Sequence, residues 1–253
     1  MPGLLGADPL PEYPIVIRYP TIAGSSRILL VIAAAIAPFA AQASCVWSDL
    51  TPDAATASVV QPSAARTYFV KDDVLQHGCP NSSVACKNRA YVTAGDVVLT
   101  GPVVGNYSCA IFVGDKGATT VGWIPSTAPA DIKDRSPSDW TGHWVAPEQD
   151  LTIVSAAGDS LLVKGEATWG MQDPERRRRG GVHTGEVSGT ARPIDGMLAF
   201  TMGDDGATLP YDAADEFTCR IRMQRRGPYL VVRDNNACGG ANVSFSGVYR
   251  RKG

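Results

Sequence analysis

The sequence predicts an all-β protein made of two small antiparallel barrels. Short runs rich in valine, isoleucine, tyrosine, phenylalanine and threonine are interrupted by glycine, aspartate or asparagine about every ten residues, which is the pattern of strands joined by turns. Beyond the N-terminal segment, no run of ordinary helical length shows the apolar i, i+3, i+4 spacing of a helix, although residues 53–60 could form one or two helical turns. A polar stretch divides the strand-rich part into two halves of similar pattern.

Residues 1–43 have the pattern of an export signal. An apolar run covers residues 28–41, with Arg18 and Arg27 upstream of it. The run is too short to cross a bilayer comfortably, because a helical span needs about 20 apolar residues. We therefore expect a signal peptide that is removed on export, and a bacterial periplasm fits this type of signal.

The residues around position 43 predict where the signal is cut. Ala41 and Ala43 occupy the two small-residue positions that a signal peptidase recognises, so we expect a soluble mature chain that begins at Ser44. The alternative is a lipoprotein anchored through Cys45. A lipobox, however, requires an aliphatic residue where Gln42 stands.

The cysteines indicate disulfides and an oxidising compartment. All six follow the expected cleavage point: Cys45, Cys79, Cys86, Cys109, Cys219 and Cys238. An even number in an exported chain indicates disulfide bonds, although the pairing among the first four stays open. No pair has the Cys-x-x-Cys spacing of zinc ribbons or thioredoxin-type sites, so no metal or other cofactor is expected. The formal charge of −2 gives no field that would attract nucleic acid.

A polar stretch separates the two expected domains. Residues 126–138 carry two prolines and show no apolar period, which is typical of a linker. We place the first domain at 44–127, the linker at 128–138 and the second domain at 139–253.

The first domain resembles bacterial SH3-like modules. Its strands are expected at 67–70, 96–100, 107–114 and 118–124. The resemblance rests on a Tyr-containing segment that ends in a Gly-Asp turn (90–99), an aromatic strand (107–112) and a closing Gly-Trp-Ile strand (122–125). It covers residues 68–127 and implies a small barrel.

The same resemblance implies a binding surface. SH3-like modules often leave aromatic side chains exposed as a ligand groove, and the corresponding residues here are Tyr91, Tyr107 and Trp123. The alternative is that the three rings form the half-buried core of a small barrel.

The second domain is expected to be an eight-stranded barrel. Its strands are placed at 142–146, 151–155, 160–169, 182–191, 197–202, 217–225, 229–233 and 242–250. Sequential strands with short turns predict an up-and-down meander that closes on itself.

Two ends of this domain resemble the calycin group, which includes lipocalins and bacterial periplasmic metalloprotease inhibitors. Gly142 and Trp144 match its Gly-x-Trp element on the first strand, and Arg250 and Arg251 lie on the last strand. The resemblance implies that the tryptophan closes one end of the barrel and that a guanidinium stacks on its ring.

A hairpin near the C-terminus predicts one disulfide. If residues 226–228 form its turn, Arg225 lies opposite Tyr229 and Met223 faces Val231. This register brings Cys219 close to Asn235. Residues 234–240 could then fold Cys238 back into disulfide range, with Gly239 and Gly240 in backbone conformations closed to other residues.

A reactive thiol at Cys238 is the competing interpretation. A catalytic thiol needs a nearby base, and the nearest histidine in sequence is His183. We therefore expect a disulfide between Cys219 and Cys238.

The remaining residues give little sign of an enzyme. His183 and Glu186 are three apart on an expected strand and so face opposite sides, while His143, inside the Gly-x-Trp element, is expected to point outward from the barrel. The sequence contains no Gly-x-Ser-x-Gly, Ser-x-x-Lys or His-Glu-x-x-His motif and no phosphate-binding loop.

One charged run remains. Arg176, Arg177, Arg178 and Arg179 are expected at a solvated hairpin tip. The functional alternative is electrostatic contact with an anionic surface, such as phospholipid headgroups, or with an acidic protein.

Together these features predict an exported, non-enzymatic binding protein of the bacterial periplasm. Its partner would be a protein, a cell-wall component or a small ligand. The first alternative is an inhibitor of a periplasmic hydrolase, with the linker as the inhibitory segment. The second is an enzyme with an unrecognised site.

Overall fold

The computed structural model describes residues 44–62, 65–114, 117–132, 139–213 and 215–253. The signal segment predicted at 1–43 and most of the predicted linker lie outside these residues. The all-β class is confirmed, with two antiparallel sheets and very little helix. In the part of the chain that the structure describes, no helix is both long and apolar enough to span a membrane.

The first sheet has seven strands in the order β3-β2-β6-β5-β4-β1-β7. Their bounds are β1 Thr56–Val60, β2 Thr67–Val70, β3 Lys87–Val92, β4 Val97–Val104, β5 Tyr107–Val113, β6 Thr119–Pro125 and β7 Pro129–Asp131. A single 3-10 turn, Trp47–Asp49, precedes β1. Strands β2, β5 and β6 lie within one residue of their predicted bounds, whereas β4 extends four residues beyond its predicted end at 100.

Three elements of this sheet, β1, β3 and β7, differ from the prediction, and of these β3 was not predicted at all. Residues 53–60 were expected to form helical turns, but Thr56–Val60 is a strand between β4 and β7. Its buried Ser58 hydroxyl donates to the Asp131 carboxylate (3.0 Å) and lies 3.0 Å from the Thr100 hydroxyl, which ties all three strands together. Pro129–Asp131, which is β7, lies inside the predicted linker.

The second sheet has nine strands in the order β11-β10-β9-β8-β16-β15-β14-β12-β13. Their bounds are β8 Gly142–Ala146, β9 Gln149–Ser155, β10 Leu161–Trp169, β11 His183–Ala191, β12 Met197–Met202, β13 Thr208–Leu209, β14 Arg220–Arg226, β15 Tyr229–Asp234 and β16 Gly247–Arg251. A short helix, α1 Pro174–Arg178, joins β10 to β11, and a 3-10 turn, Asp204–Gly206, follows β12.

This sheet is nearly closed into a barrel. The first strand, β8, pairs with the last, β16, so the meander joins its own ends. A seam remains between β11 and the paired strands β12 and β13, where the Thr190 amide of β11 donates to the Thr208 hydroxyl of β13 (2.9 Å). Gly189 faces the ring of Phe200 across this seam, and a Cβ at position 189 would overlap the ring. A glycine therefore lets the two strands approach where no ladder joins them.

Side chains fill the inside of the second sheet. Trp144, Phe200, Phe245 and Tyr249 are fully buried together with aliphatic residues from the surrounding strands. The Trp144 indole donates to the Trp140 carbonyl (3.0 Å) and the Tyr249 hydroxyl donates to the Phe245 carbonyl (2.7 Å). The interior is thus a packed core in which these two polar groups are hydrogen-bonded.

The two sheets share a hydrophobic cluster. Tyr229, Val231 and Val248 of the second sheet pack with residues of the first, including Ile111 and Trp123. Two hydrogen bonds cross the same boundary: the Tyr229 hydroxyl donates to the Val97 carbonyl (2.6 Å), and the Arg250 guanidinium donates to the Val113 carbonyl (2.8 Å).

All six cysteines are paired as Cys45–Cys109, Cys79–Cys86 and Cys219–Cys238. The predicted Cys219–Cys238 disulfide is confirmed. The predicted hairpin register, however, was wrong by one residue. Arg226 pairs with Tyr229 and Met223 with Val232, because the turn has two residues, Gly227 and Pro228, rather than three.

The two glycines after Cys238 have a different role from the one predicted. The residues near them with positive φ are Asn236 (60°) and Asn242 (66°), not the glycines. Gly239 instead lies against Gly185 of β11, and a Cβ on either glycine would collide with the backbone of the other segment. Close packing of two backbones, rather than an unusual dihedral angle, requires glycine there.

The last predicted strand starts later than expected. The sequence placed it at 242–250, but the strand is Gly247–Arg251. The segment before it is held by the buried Asp234 carboxylate, which accepts from the Ser244 hydroxyl (2.7 Å) and the Phe245 amide (3.2 Å). Hydrogen bonds to the Asp234 carboxylate therefore hold this segment, in place of hydrogen bonds to a partner strand.

Candidate ligand-binding groove

The structure separates the three aromatic residues that were predicted to contact a ligand. Tyr91 is 41% exposed on β3, and Tyr107 is half-buried at the start of β5. Trp123 is fully buried in the cluster shared by the two sheets. The prediction for Trp123 is therefore corrected, because a ring inside this core cannot contact a ligand.

A tyrosine that was not predicted to contact a ligand, Tyr68, lies at this surface instead. Tyr68 on β2 lies directly opposite Tyr91 on β3, and the two ring centroids are 5.7 Å apart. Tyr68 and Tyr107 both line a surface groove of about 330 Å³. Its floor includes Val70 and Pro125. The groove thus combines aromatic and apolar surface with access to solvent.

Two cations lie on the exposed tyrosine rings. The Lys87 ammonium is 3.6 Å from the centroid of Tyr68, and the Arg66 guanidinium carbon is 4.4 Å from the centroid of Tyr91. Both cations line the groove or its rim. A hydrogen bond to Tyr68, together with the nearby Tyr91, raises the pKa of Arg66 above its usual value. The cations are therefore positioned by the rings on which they lie.

A disulfide-closed loop forms one wall of the groove. Cys79 and Cys86 bound this loop, and residues 81–83 within it line the groove. The Asn81 side chain donates to the Gly78 carbonyl (2.7 Å) and accepts from the Ser83 amide (2.8 Å). The wall is covalently and internally braced, which lowers the entropy lost when a ligand binds.

Sequence reasoning missed Arg66, Tyr68 and Lys87. Tyr68 was assigned to a strand with no role in binding, and β3, which carries Lys87, was not predicted. The pairing of β2 with β3 creates the site, and no local motif encodes that pairing.

The arginine run lies at a hairpin tip, between β10 and β11. Asp173 caps the short helix α1 by accepting from the amides of its first turn. Glu175 forms ion pairs with Arg178 and Arg179, and Arg176 stacks on the ring of Trp169 at 4.0 Å. These contacts are local and exposed, so the run has the geometry of a solvated tip.

The Gly-x-Trp element has the expected ring and one of the two expected arginines, Arg251, together with Arg225, which was not predicted. The guanidinium carbons of Arg225 and Arg251 lie 4.6 and 4.9 Å from the ring of Trp144. Of the two arginines named from the sequence, Arg251 therefore lies over the ring, whereas Arg250 donates to the Val113 carbonyl in the first sheet. Gly142 has φ of 136° and lies against the Arg251 side chain. The absence of a side chain at position 142 therefore leaves room for Arg251 to reach the ring.

Acidic side chains from three strands of the second sheet line a second surface groove, of about 430 Å³, together with Lys164. Asp150, Glu166 and Glu186 are neighbours across β9, β10 and β11, and His143 lies 3.6 Å from Asp150. The His183 ring contacts the Ala241 carbonyl. Within the described ranges, no three histidine, cysteine or acidic side chains are arranged to hold a metal ion.

Comparison with known proteins adds no relative. No family model, no curated protein and no solved structure matches the chain. The SH3-like and calycin resemblances therefore rest on the sequence motifs given above.

Proposed function

We propose that this chain is an exported, non-enzymatic binding protein of the bacterial periplasm, in which an SH3-like first half presents the tyrosine groove and a calycin-like second half supports it. The observation that carries the proposal is the groove itself. Two tyrosines, Tyr68 and Tyr107, and two cations, Arg66 and Lys87, line a braced surface that is accessible to solvent, and Tyr91 lies beside Tyr68. Aromatic and cationic side chains are common at the centres of binding surfaces.

The disulfides support an exported, soluble protein. Three disulfides are consistent with export into an oxidising compartment. The Cys45 sulfur is bonded to Cys109, and the same sulfur cannot also carry a lipid through a thioether. This pairing favours the soluble form over the lipoprotein alternative.

The packing of the second sheet favours the groove over a ligand held inside the barrel. A barrel that carries a small ligand needs an internal cavity. Here Trp144, Phe200, Phe245 and Tyr249 occupy that space. Binding at the first sheet is therefore the better-supported function.

Affinity capture tests the proposal. The purified chain is immobilised and exposed to a cell-envelope extract of its host, alongside a Tyr91→Ala variant and a Tyr211→Ala control in the turn after β13. We expect the wild type and the control to retain the same partner and Tyr91→Ala to lose it. Equal retention by all three proteins would contradict binding through the groove.

The captured material also separates the alternatives. Recovery of one hydrolase in equal amount, with loss of its activity, would replace the proposal with the inhibitor function. Recovery that survives Tyr91→Ala and depends instead on the arginine tip would indicate the anionic-surface function of Arg176, Arg177, Arg178 and Arg179.

A further inference from the structure

We infer that the ligand of the tyrosine groove is an acidic segment of polypeptide whose carboxylates pair with Arg66 and Lys87. This inference rests on the proposed function, because it names the chemistry of the ligand for the same groove. Three features of the groove support it: its charge, the positions of its cations and its apolar floor.

The charge of the groove is opposite to that of the chain. The chain has a formal charge of −2, yet the described residues that line the groove include Arg66 and Lys87 and no aspartate or glutamate. Arg89, two residues after Lys87 on β3, is also exposed at this edge. A local positive field in an acidic protein attracts anionic groups and speeds their encounter.

The positions of the cations disfavour recognition by stacking. A sugar ring or a base would need a free aromatic face. The Lys87 ammonium covers the face of Tyr68, and the Arg66 guanidinium covers that of Tyr91. At these two rings, the groups presented to a ligand are thus the charged heads, whose hydrogen bonds to carboxylates are about twice as strong as neutral ones.

The apolar residues that line the groove favour a peptide over a phosphodiester chain. Val70, Tyr107 and Pro125 provide apolar and aromatic surface there. An apolar side chain between two acidic residues would cover this surface. A phosphodiester polymer offers anionic groups but little apolar surface to bury, so it would leave the floor in contact with water.

The groove also limits the length of the bound segment. Its volume of about 330 Å³ lies at the lower end of the range for ligand sites, so a few residues fill it. We therefore expect recognition of a short acidic motif with an apolar residue inside it.

The test is a titration of the full mature chain with the fluorescein-labelled peptide Glu-Glu-Leu-Glu-Glu, followed by fluorescence anisotropy. Its comparison probes are Gln-Gln-Leu-Gln-Gln and labelled inorganic polyphosphate. We expect the glutamate peptide to bind about tenfold or more tightly than the glutamine peptide, and its affinity to fall as salt rises.

Charge-removing variants locate the binding. Lys87→Gln and Arg66→Gln should each weaken binding of the glutamate peptide by about tenfold. Lys164→Gln, which removes an exposed lysine from the second sheet, should leave this affinity unchanged. Lys87→Arg should bind within about threefold of the wild type, because it keeps the charge. Unfolding curves of all variants should coincide closely.

The inference is overturned by equal affinity for the glutamate and glutamine peptides, by tighter binding of polyphosphate, or by retention of affinity in both Lys87→Gln and Arg66→Gln. Its failure differs from that of the proposed function. If envelope capture still depends on Tyr91 while the glutamate peptide does not bind, the groove is a binding site for another ligand. If neither depends on the groove, both are wrong.

Discussion

The two sheets of this protein use their aromatic residues differently. In the second sheet, Trp144, Phe200, Phe245 and Tyr249 point inward and fill the barrel. In the first sheet, Trp123 is buried, but Tyr68, Tyr91 and Tyr107 remain at the surface. Cations cover aromatic rings in both sheets, on the buried Trp144 in one and on exposed tyrosines in the other.

This difference indicates a division of labour. A buried ring stabilises the fold through the area it removes from water, and its removal leaves a cavity. An exposed ring under a cation contributes little to stability and keeps polar groups available to a ligand. The second sheet therefore has the features of a scaffold and the first has those of a recognition surface.

The largest expected effect is the loss of stability when a buried tryptophan is removed. Trp144→Ala and Trp123→Ala should each lower the free energy of unfolding by about 3–5 kcal/mol, because each removes a fully buried indole. Urea-induced unfolding measures this loss. A loss below about 1 kcal/mol for Trp123→Ala would show that its ring is not core and would restore it to the groove.

Removal of the disulfide in the second sheet should affect stability alone. Cys219→Ser with Cys238→Ser opens a loop whose ends are 19 residues apart, which on the chain-entropy model lowers stability by about 3 kcal/mol. Binding by the groove should be unchanged. Calorimetry and affinity capture on the same protein check both parts, and loss of capture by a folded variant would break the separation of roles.

Removal of the disulfide beside the groove should affect both properties. Cys79→Ser with Cys86→Ser opens a loop with ends only 7 residues apart, so its expected cost of about 2.5 kcal/mol is smaller. Capture should weaken, because residues 81–83 lose their fixed position in the groove wall. Unchanged capture would show that the braced wall does not contribute to affinity.

Tyr91→Ala should lower stability much less than Trp123→Ala does, but it should abolish binding. Tyr91 is 41% exposed, so its removal should cost about 1 kcal/mol of stability or less while abolishing capture. The unfolding curve and the capture assay are measured on the same preparation. A loss of stability comparable to that of Trp123→Ala would show that the Tyr91 ring is part of the core. It would contradict the distinction between buried and exposed rings.

The smallest expected effect concerns stability at low pH. It involves Asp139, which is hydrogen-bonded to Arg251, one of the two arginines over the Trp144 ring. The hydrogen bond from Arg251, and then that from Thr141, lowers the pKa of Asp139 below its ordinary value of 3.8. Because the folded pKa is the lower one, the stabilisation is present above the unfolded pKa and is lost as pH falls through the folded pKa. Asp139→Asn should therefore remove a small part of the acid sensitivity below about pH 4. An unchanged pH profile would contradict this contribution.

Strand positions were predictable where apolar alternation is strong. Thr67–Val70, Gly142–Ala146 and Met197–Met202 match the sequence prediction at both ends. Thr56–Val60 was missed because its alternation includes the buried polar Ser58, whose partners Thr100 and Asp131 are distant in sequence. Phe217 was placed in a strand by its composition, yet it is 80% exposed before β14 begins.

The disulfide at Cys238 was predictable although the hairpin register was not. Pairing of Cys219 with Cys238 needs only a short returning segment and tolerates a shift of one residue, whereas a register changes with the length of the turn. The groove was predictable in part. Tyr91 and Tyr107 belong to a recognisable motif, but Tyr68, Arg66 and Lys87 join them only through the pairing of β2 with β3.

Site-specific photo-crosslinking tests the division of labour most directly. A photo-crosslinking phenylalanine analogue is placed at Ser82, an exposed residue in the groove wall, or at Ser155, an exposed residue on β9 of the second sheet. Each protein is expressed in the host and irradiated in intact cells. We predict a discrete crosslinked partner from position 82 and none from position 155. A partner captured at 155 and not at 82 would contradict the assignment of binding to the first sheet.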